Sequence, residues 1–382
     1  ERLAQLLADA TPKLTLTTGD LSARLPASLA RLVLDDAIVS TEIAEESEVA
    51  PRDEDRTSPL RGDHPAYLIH TSGSTGRAKG VLVPHRGLPS LATAQADRLG
   101  IGPGDRVVQL ASCAFDASVS ELAMTLTRGA TLVIAGVYER VGDDLARLLD
   151  SAAITHATFT PTALQTLSPQ AGRTLRAVIV AGEACPADLA AAWSARVCLF
   201  NAYGPTETTV CATMSAPLAR DGGVPIGRAI AGVRVYVLDS ALRPCQSGTI
   251  GDLYIGGEAL AQGYVAQPAI TALRFVADPF ARVPGARMYR TGDLAAWRAD
   301  GQLDFHGRVD DQVKIRGVRV EPDEVAAAIA AMPLVEQVAV DAALNTEGRM
   351  ALTAYVAPVR RGDALEALRR ACALDHVEAW RE

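Results

Sequence analysis

One stretch limits what this chain can become. Tyr67-Leu-Ile-His-Thr-Ser-Gly-Ser-Thr-Gly-Arg-Ala-Lys-Gly80 runs from an apolar triplet (Tyr67, Leu68, Ile69) into ten residues, Thr71 to Gly80, that hold three glycines, four Ser or Thr and two cations. A second apolar run, Val81 to Val83, follows at once. This order predicts a strand, a tight polar loop and a second strand. Glycines let the backbone approach an anion, hydroxyls donate to phosphate oxygens, and Arg77 and Lys79 bring positive charge. A surface hairpin turn is the plainer alternative. Hydroxyls, glycines and cations coincide here between two strands, which favours a phosphate-binding loop. It is not a Walker loop, because no Gly-Lys-Ser/Thr follows a Gly at the required spacing, and no Gly-x-Gly-x-x-Gly is present.

At 382 residues the chain is long enough for two or three packed units. Hydrophobic content of 48% and charged content of 21% are ordinary for a globular protein. The net charge of −8, with a pI near 5.4, disfavours a nucleic-acid or anionic-membrane partner. Cysteines 113, 185, 198, 211, 245 and 372 form no Cys-x-x-Cys pair and no His cluster accompanies them. Scattered thiols of this kind point to a reducing compartment. The first ten residues read as an amphipathic helix and not a signal peptide. No apolar run approaches membrane-spanning length, so a cytoplasmic location is expected.

Residues 1–60 predict a helix, a strand over 13–18 and an exposed acidic loop over 42–59. Between 86 and 200, apolar strands (106–110, 130–134, 177–180) alternate with helices (143–149, 186–193). That alternation implies a mostly parallel sheet covered on both faces. From 224 to 290 the strands shorten between Gly and Pro, as in a small barrel-like β unit. Further on, strands 313–315 and 318–320 bracket Gly317, and Pro322 opens a helix over 323–331. Strands 336–343 and 350–357 flank a turn at 345–348, and a helix follows over 364–373. The expected fold class is α/β. A large N-terminal domain over 1–309 holds mostly parallel sheets plus the small β-barrel-like unit. A smaller, mobile α+β C-terminal domain runs from 310 to 373, with the boundary near Asp310.

Further stretches carry candidate chemistry. Phe115-Asp-Ala-Ser-Val-Ser-Glu121 sets an acid in apolar surroundings, which is costly unless the acid is paired. A helix cap is the plain reading of Asp116. Asn201-Ala-Tyr-Gly-Pro-Thr-Glu-Thr-Thr-Val210 offers an aromatic to stack on a base, an amide for the base edge, and oxygen ligands in Thr206 and Glu207. Mg²⁺ prefers a carboxylate plus phosphates and water, which makes Glu207 the metal candidate. A Gly-Pro turn with a capping Thr is the alternative. Tyr289-Arg-Thr-Gly-Asp-Leu294 places Asp293 after a Gly turn, where it can accept ribose hydroxyls, although a lone Thr-Gly-Asp is an ordinary turn. Gly307-Arg-Val-Asp-Asp-Gln-Val-Lys-Ile-Arg-Gly-Val-Arg-Val-Glu321 otherwise reads as a solvated hairpin.

In this order the stretches resemble the motifs of the adenylate-forming superfamily: acyl- and aryl-CoA synthetases, luciferases, and the adenylation domains of nonribosomal peptide synthetases. The resemblance covers nearly the whole chain and is nearest to the last of these, although the family usually has Pro where Ala78 stands. It implies that Thr71, Ser72, Gly73, Ser74, Thr75, Gly76 and Lys79 embrace the β- and γ-phosphates of ATP. Gly182, Glu183, Ala184, Asn201, Ala202, Tyr203, Gly204 and Thr206 would line the nucleotide, Asp293 the ribose, and Arg308 would reach toward it. Lys79, Glu207, Asp310 and Lys314 form the implied catalytic set, with Mg²⁺ on Glu207, Asp310 as a pivot, and Lys314 and Gly317 on the strand that moves. Gly251-Asp-Leu-Tyr-Ile-Gly-Gly-Glu258, with Gly263-Tyr264, reads as scaffold.

The Asp116 segment is similar to that of amino-acid-activating members, in which an Asp binds the α-ammonium. The substrate positions carried over are Asp116, Ala117, Ser120, Thr158, Ile179, Ala181, Ala202, Val210 and Cys211. Most are small, so a deep, mostly apolar pocket for a large aromatic amino acid is expected. The resemblance also implies a peptidyl carrier protein whose phosphopantetheine thiol accepts the aminoacyl group. Residues 271–279 resemble the face on which MbtH-like helper proteins dock. Two departures stand out. The family carries sequence ahead of residue 1, and its late motifs, including a Lys that neutralises transition-state charge, are absent. Residues 374–382 instead resemble the opening of methyltransferase domains, users of S-adenosylmethionine, inserted into interrupted adenylation domains; a C-terminal helix is the alternative. Rival readings of the whole chain are an acyl- or aryl-CoA synthetase and a nucleotide-binding scaffold for such a methyltransferase.

Overall fold

The computed structural model describes residues 2–73, 78–345 and 350–358. The N-terminal piece holds α1 (Arg2–Ala10), β1 (Thr15–Thr17), α2 (Gly19–Ser22), β2 (Arg31–Val33) and α3 (Ala37–Glu45), with β1 and β2 paired in parallel. The loop expected over 42–59 is therefore helical in its first residues. Asp36 starts α3 by accepting the amides of Ile38 and Val39 at 2.9 and 3.2 Å, an N-cap signal just ahead of the acidic run. Next come β3 (Pro65–Thr71) and β4 (Lys79–Pro84), antiparallel and in register from Pro65↔Pro84 to Thr71↔Lys79. This is the expected strand–loop–strand, and Ser74, Thr75, Gly76 and Arg77 lie outside the described residues.

The next segment runs α4 (Leu88–Leu99), β5 (Arg106–Gln109), α5 (Ala117–Leu126), β6 (Thr131–Ile134), α6 (Gly142–Ser151), β7 (His156–Phe159), α7 (Pro161–Gln165), β8 (Ala177–Ala181), α8 (Ala187–Ser194), β9 (Cys198–Tyr203), β10 (Thr213–Met214) and β11 (Arg228–Ala229). Its seven-stranded sheet has the order β11-β10-β9-β8-β7-β5-β6. The pairings from β9 to β6 are parallel, and β10 and β11 join antiparallel. Successive residues of β8 point to opposite faces. Ala177 and Ile179 enter one apolar cluster with Leu91 and Met124, whereas Val178 and Val180 enter another with Leu145 and Trp193. Burial on both faces is why these strands read as continuous apolar runs.

The smaller β unit comprises β12 (Val233–Leu238), β13 (Gly251–Gly257), β14 (Gly263–Tyr264), β15 (Phe275–Ala277), β16 (Arg287–Trp297) and β17 (Leu303–Arg308), with α9 (Pro268–Arg274) between β14 and β15. Five of its strands form one antiparallel sheet, and β14 adds instead to β4. Beyond it come the hairpin β18 (Val313–Ile315) and β19 (Val318–Val320), α10 (Pro322–Ala330), and the pair β20 (Val335–Leu344) and β21 (Met350–Pro358). Arg316 and Gly317 turn that hairpin with φ of 53° and 78°, the left-handed pair a two-residue hairpin turn needs. The sequence boundary at Asp310 falls between β17 and β18. The helix expected over 364–373 and the stretch 374–382 lie outside the described residues. Among the described residues, no helix is long and apolar enough to cross a membrane.

Phe159, on β7, is 1% exposed within the second cluster. Phe159→Ala is expected to destabilise the fold by about 3–5 kcal/mol, read as a lower urea midpoint at unchanged slope.

Candidate functional site

The ends of β3, β4, β8 and β9 converge with the hairpin β18–β19. At the end of β3, the Ser72 hydroxyl donates to the Arg319 carbonyl at 2.8 Å, and the Gly73 amide donates to Glu324 Oε2 at 3.3 Å. Thr71 Oγ1 is buried without a partner among the described residues. Lys79 opens β4, is 2% exposed, and lies 5.7 Å from the Tyr264 ring centroid. Burial, followed by the charge of Arg319, lowers its pKa.

After β9 the chain makes a constrained turn. A Cβ on Gly204 would stand 2.5 Å from the Val210 carbonyl, so only glycine fits there. Thr209 and Val210 take φ of 55° and 66°, unusual for β-branched residues and a sign that surrounding contacts hold the turn. Glu207, in this turn, is fully buried. It accepts the Tyr264 hydroxyl at 2.7 Å and Arg319 Nη1 at 3.1 and 3.3 Å. Burial alone would raise the Glu207 carboxyl; Arg319 and Tyr264 more than offset this and hold it below the ordinary value.

This bears on the metal expectation. Among the described residues no group of three or more His, Cys, Asp or Glu is placed to hold a metal ion. A metal on Glu207 would therefore complete its shell with phosphate and water, as Mg²⁺ commonly does. The guanidinium at Glu207 marks a place built for a cation, so the site fits the group. In this arrangement, however, Arg319 fills that place.

The nucleotide residues divide. Tyr203 donates its hydroxyl to Asp293, which also pairs with Arg308. Arg308 in turn bonds Asp310 at 2.6 and 3.0 Å. Burial would raise the Asp310 carboxyl, but the bond and charge of Arg308 hold it low. The Asn201 side-chain nitrogen donates to the Pro225 carbonyl at 3.0 Å, tying β9 to the loop before β11. Glu183 accepts the Thr162 amide at 3.0 Å and the Gly317 amide at 2.5 Å, while Gly182, with φ of 87°, faces Gly317. Ala184 follows and is exposed.

Asp116 sits at the start of α5 but makes no capping bond. It is half-buried; burial raises its carboxyl, and the nearby Thr206 hydroxyl works against that rise. Lys314 is a nearby opposite charge, and the Tyr67 hydroxyl close by is buried without a partner among the described residues. Of the other substrate positions, Thr158, Ile179, Ala181 and Ala202 share one sheet face, whereas Ala117 and Ser120 lie on α5 and Val210 and Cys211 end the turn after β9. Thr158 pairs with Ile179, and Ala181 with Ala202, across β7, β8 and β9, under α4 and α5. Ser120 bonds Gln95. Four of these positions are closely packed: Ser120 is 4% exposed, Ile179 0%, Ala202 6% and Cys211 2%. Ala117, Thr158, Ala181 and Val210 remain half-buried, and Thr158 Oγ1 lacks a partner among the described residues.

Sequence reasoning gave no role to Arg319 or Gln95 and read Tyr264 as scaffold alone. For Arg319 the signal was present: it lies opposite Lys314 in the β18–β19 register, so two cations share one face of the hairpin.

The family model described as AMP-binding enzyme matches residues 1–265. The chain is 47% identical over 371 residues to novobiocin biosynthesis protein H of Streptomyces niveus, covering 94% of this chain and 60% of that protein. It is 45% identical over 372 residues to the probable non-canonical nonribosomal peptide synthetase CymA of Salinispora arenicola, covering 97% and 5%. It thus spans less than two thirds of these relatives. Among solved structures, an artificially fused adenylation–PCP di-domain from Klebsiella oxytoca superposes with a TM-score of 0.83 at 26% identity, covering 100% of this chain and 75% of that one. A four-domain nonribosomal peptide synthetase bound to AMP and glycine superposes at 0.69 with 31% identity, covering 95% and 27%.

Glu121 braces the loop that leads to Asp116. It is 1% exposed and accepts the Leu110 and Ala111 amides, each at 3.2 Å. Burial pushes its carboxyl up to about 8 from 4.5. The folded protein then keeps a proton that the unfolded chain releases, so this group's contribution to stability falls as pH rises through that interval. Glu121→Gln is expected to flatten the decline in melting temperature between pH 5 and 8, measured by calorimetry at stepped pH.

Proposed function

The chain belongs to the AMP-binding enzyme family, in its nonribosomal peptide synthetase adenylation type, and from that premise we propose that it activates an amino acid with a large aromatic side chain and hands it to a carrier protein. The observation that carries the amino-acid reading is Asp116. An acid at a helix start that makes no cap, half-buried near the Thr206 hydroxyl, supports a role in binding an ammonium group. The small residues Ala117, at the start of α5, and Ala181 and Ala202, on β8 and β9, support a bulky side chain, once Ser120 and Gln95 adjust around it.

The substrate carboxylate attacks the α-phosphorus of ATP, a new O–P bond forms, and pyrophosphate leaves, giving aminoacyl-AMP. Mg²⁺ bound with the triphosphate would neutralise charge on the phosphate oxygens. Ser72, Gly73 and Lys79 supply a hydroxyl, an amide and a charge for the same end of the nucleotide, and Asp293 accepts from the ribose. A carrier-protein phosphopantetheine thiol then attacks the acyl carbon and releases AMP. Gly317 and Gly182 face each other without side chains of their own, beside Thr160 and Glu183, in keeping with an entry path for a slender thiol arm. The exposed Leu273, on α9 and within 271–279, suits docking of an MbtH-like protein. Residues 374–382 fit the start of an inserted methyltransferase that uses S-adenosylmethionine.

The full-length protein is tested by ATP–pyrophosphate exchange with single amino acids, beside fatty and benzoic acids. Aromatic amino acids are expected to drive exchange, whereas preference for a fatty or benzoic acid would sink the amino-acid reading. Asp116→Ala should lower kcat/KM for the amino acid by on the order of 10–100-fold. Asp310→Pro should slow carrier-protein loading more than exchange, and equal loss of both would count against a pivot at Asp310.

A further inference from the structure

We propose that Arg319 is the docked-state counter-ion of Glu207: it takes the cation place beside this carboxylate, so that hairpin docking and metal–nucleotide binding exclude one another. This rests on the adenylation reading given above. Arg319 reaches Glu207 across 112 residues of sequence, with Nη1 at 3.1 and 3.3 Å from the two carboxylate oxygens. The Glu207 side chain is 0% exposed and that of Arg319 only 15%. A carboxylate so buried needs a cationic partner at all times. A divalent ion carried by a triphosphate would need the same oxygens.

The same docking occupies two other groups assigned to the triphosphate. The Arg319 carbonyl takes the Ser72 hydroxyl, and Glu324, at the start of α10, takes the Gly73 amide. On the far side of the hairpin the Gly317 amide bonds Glu183, and a Cβ at Gly317 would meet Thr160 at 2.6 Å, so the fit is close at both ends. Arg319 Nε remains buried without a partner among the described residues, a donor left over for the phosphate of a bound adenylate. Arg319 is thus a positioning residue. It lets the emptied cation place hold the hairpin down, and it withdraws when metal and triphosphate return.

The test is amide hydrogen exchange on the full-length protein, with and without Mg²⁺ plus α,β-methylene-ATP, alongside equilibrium binding of that analogue. In the wild type, saturating Mg²⁺ and analogue should lower protection of residues 313–320 by about 10-fold or more. Arg319→Gln should show that loss without ligand and bind the analogue roughly 3–10-fold more tightly, since a competing state is removed. Arg319→Lys keeps the charge but not the two-oxygen fork, and should fall between. Melting curves identify any variant that fails to fold, and the lysine variant then decides the matter. Unchanged hairpin protection in a folded Arg319 variant, or a hairpin still protected in the analogue-bound wild type, overturns the role of Arg319 alone. Failure of every form to bind the analogue overturns the adenylation reading, and this proposal with it.

Discussion

A carboxylate stripped of water organises the centre of this molecule. Glu207 sits in the turn after β9 with no exposure, and an unpaired charge there would cost several kcal/mol. Its oxygens draw in the Tyr264 hydroxyl from β14 and the Arg319 guanidinium from β19, and Tyr264 lies 3.3 Å from the Tyr289 hydroxyl on β16. One buried charge therefore joins the large sheet, the β3–β4–β14 sheet, the smaller β unit and the terminal hairpin. The Ala261 amide, bonded to the Glu207 carbonyl at 2.9 Å, fixes the same turn through the backbone.

The second knot runs Tyr203, Asp293, Arg308, Asp310. It links β9 to β16 and β17, and it ends at the residue where the terminal hairpin departs. Arg274 of α9 adds a second cation 3.8 Å from Asp310. Both knots use arginine to neutralise acids withdrawn from solvent. The carboxylates of Glu207 and Asp293 are thus each paired within the protein itself.

Much of this was legible beforehand, and for identifiable reasons. The strand–loop–strand around residues 67–83 could be read because two apolar runs bracket a segment too rich in Gly and Ser to continue either strand. The Gly317 turn could be read because left-handed backbone is open to few residues. Helix α3 was missed because acidic residues were read as solvated loop and the Asp36 cap went unweighed. The bond from Asn201 to the Pro225 carbonyl could not be read beforehand, because an amide can serve many partners and only the tertiary position of Pro225 supplies this one.

By itself the sequence determined the local periods, the turns, the order of the motifs and hence the family, because these depend on neighbours a few residues apart. Only the tertiary structure decided which charge meets which. Glu207 and Arg319 stand 112 residues apart, and Tyr203 and Asp293 90 apart. Each of these side chains would serve as well in solvent. Burial makes their pairing obligatory, and burial is a property of how sheets and hairpin come together, which no short window of the chain contains.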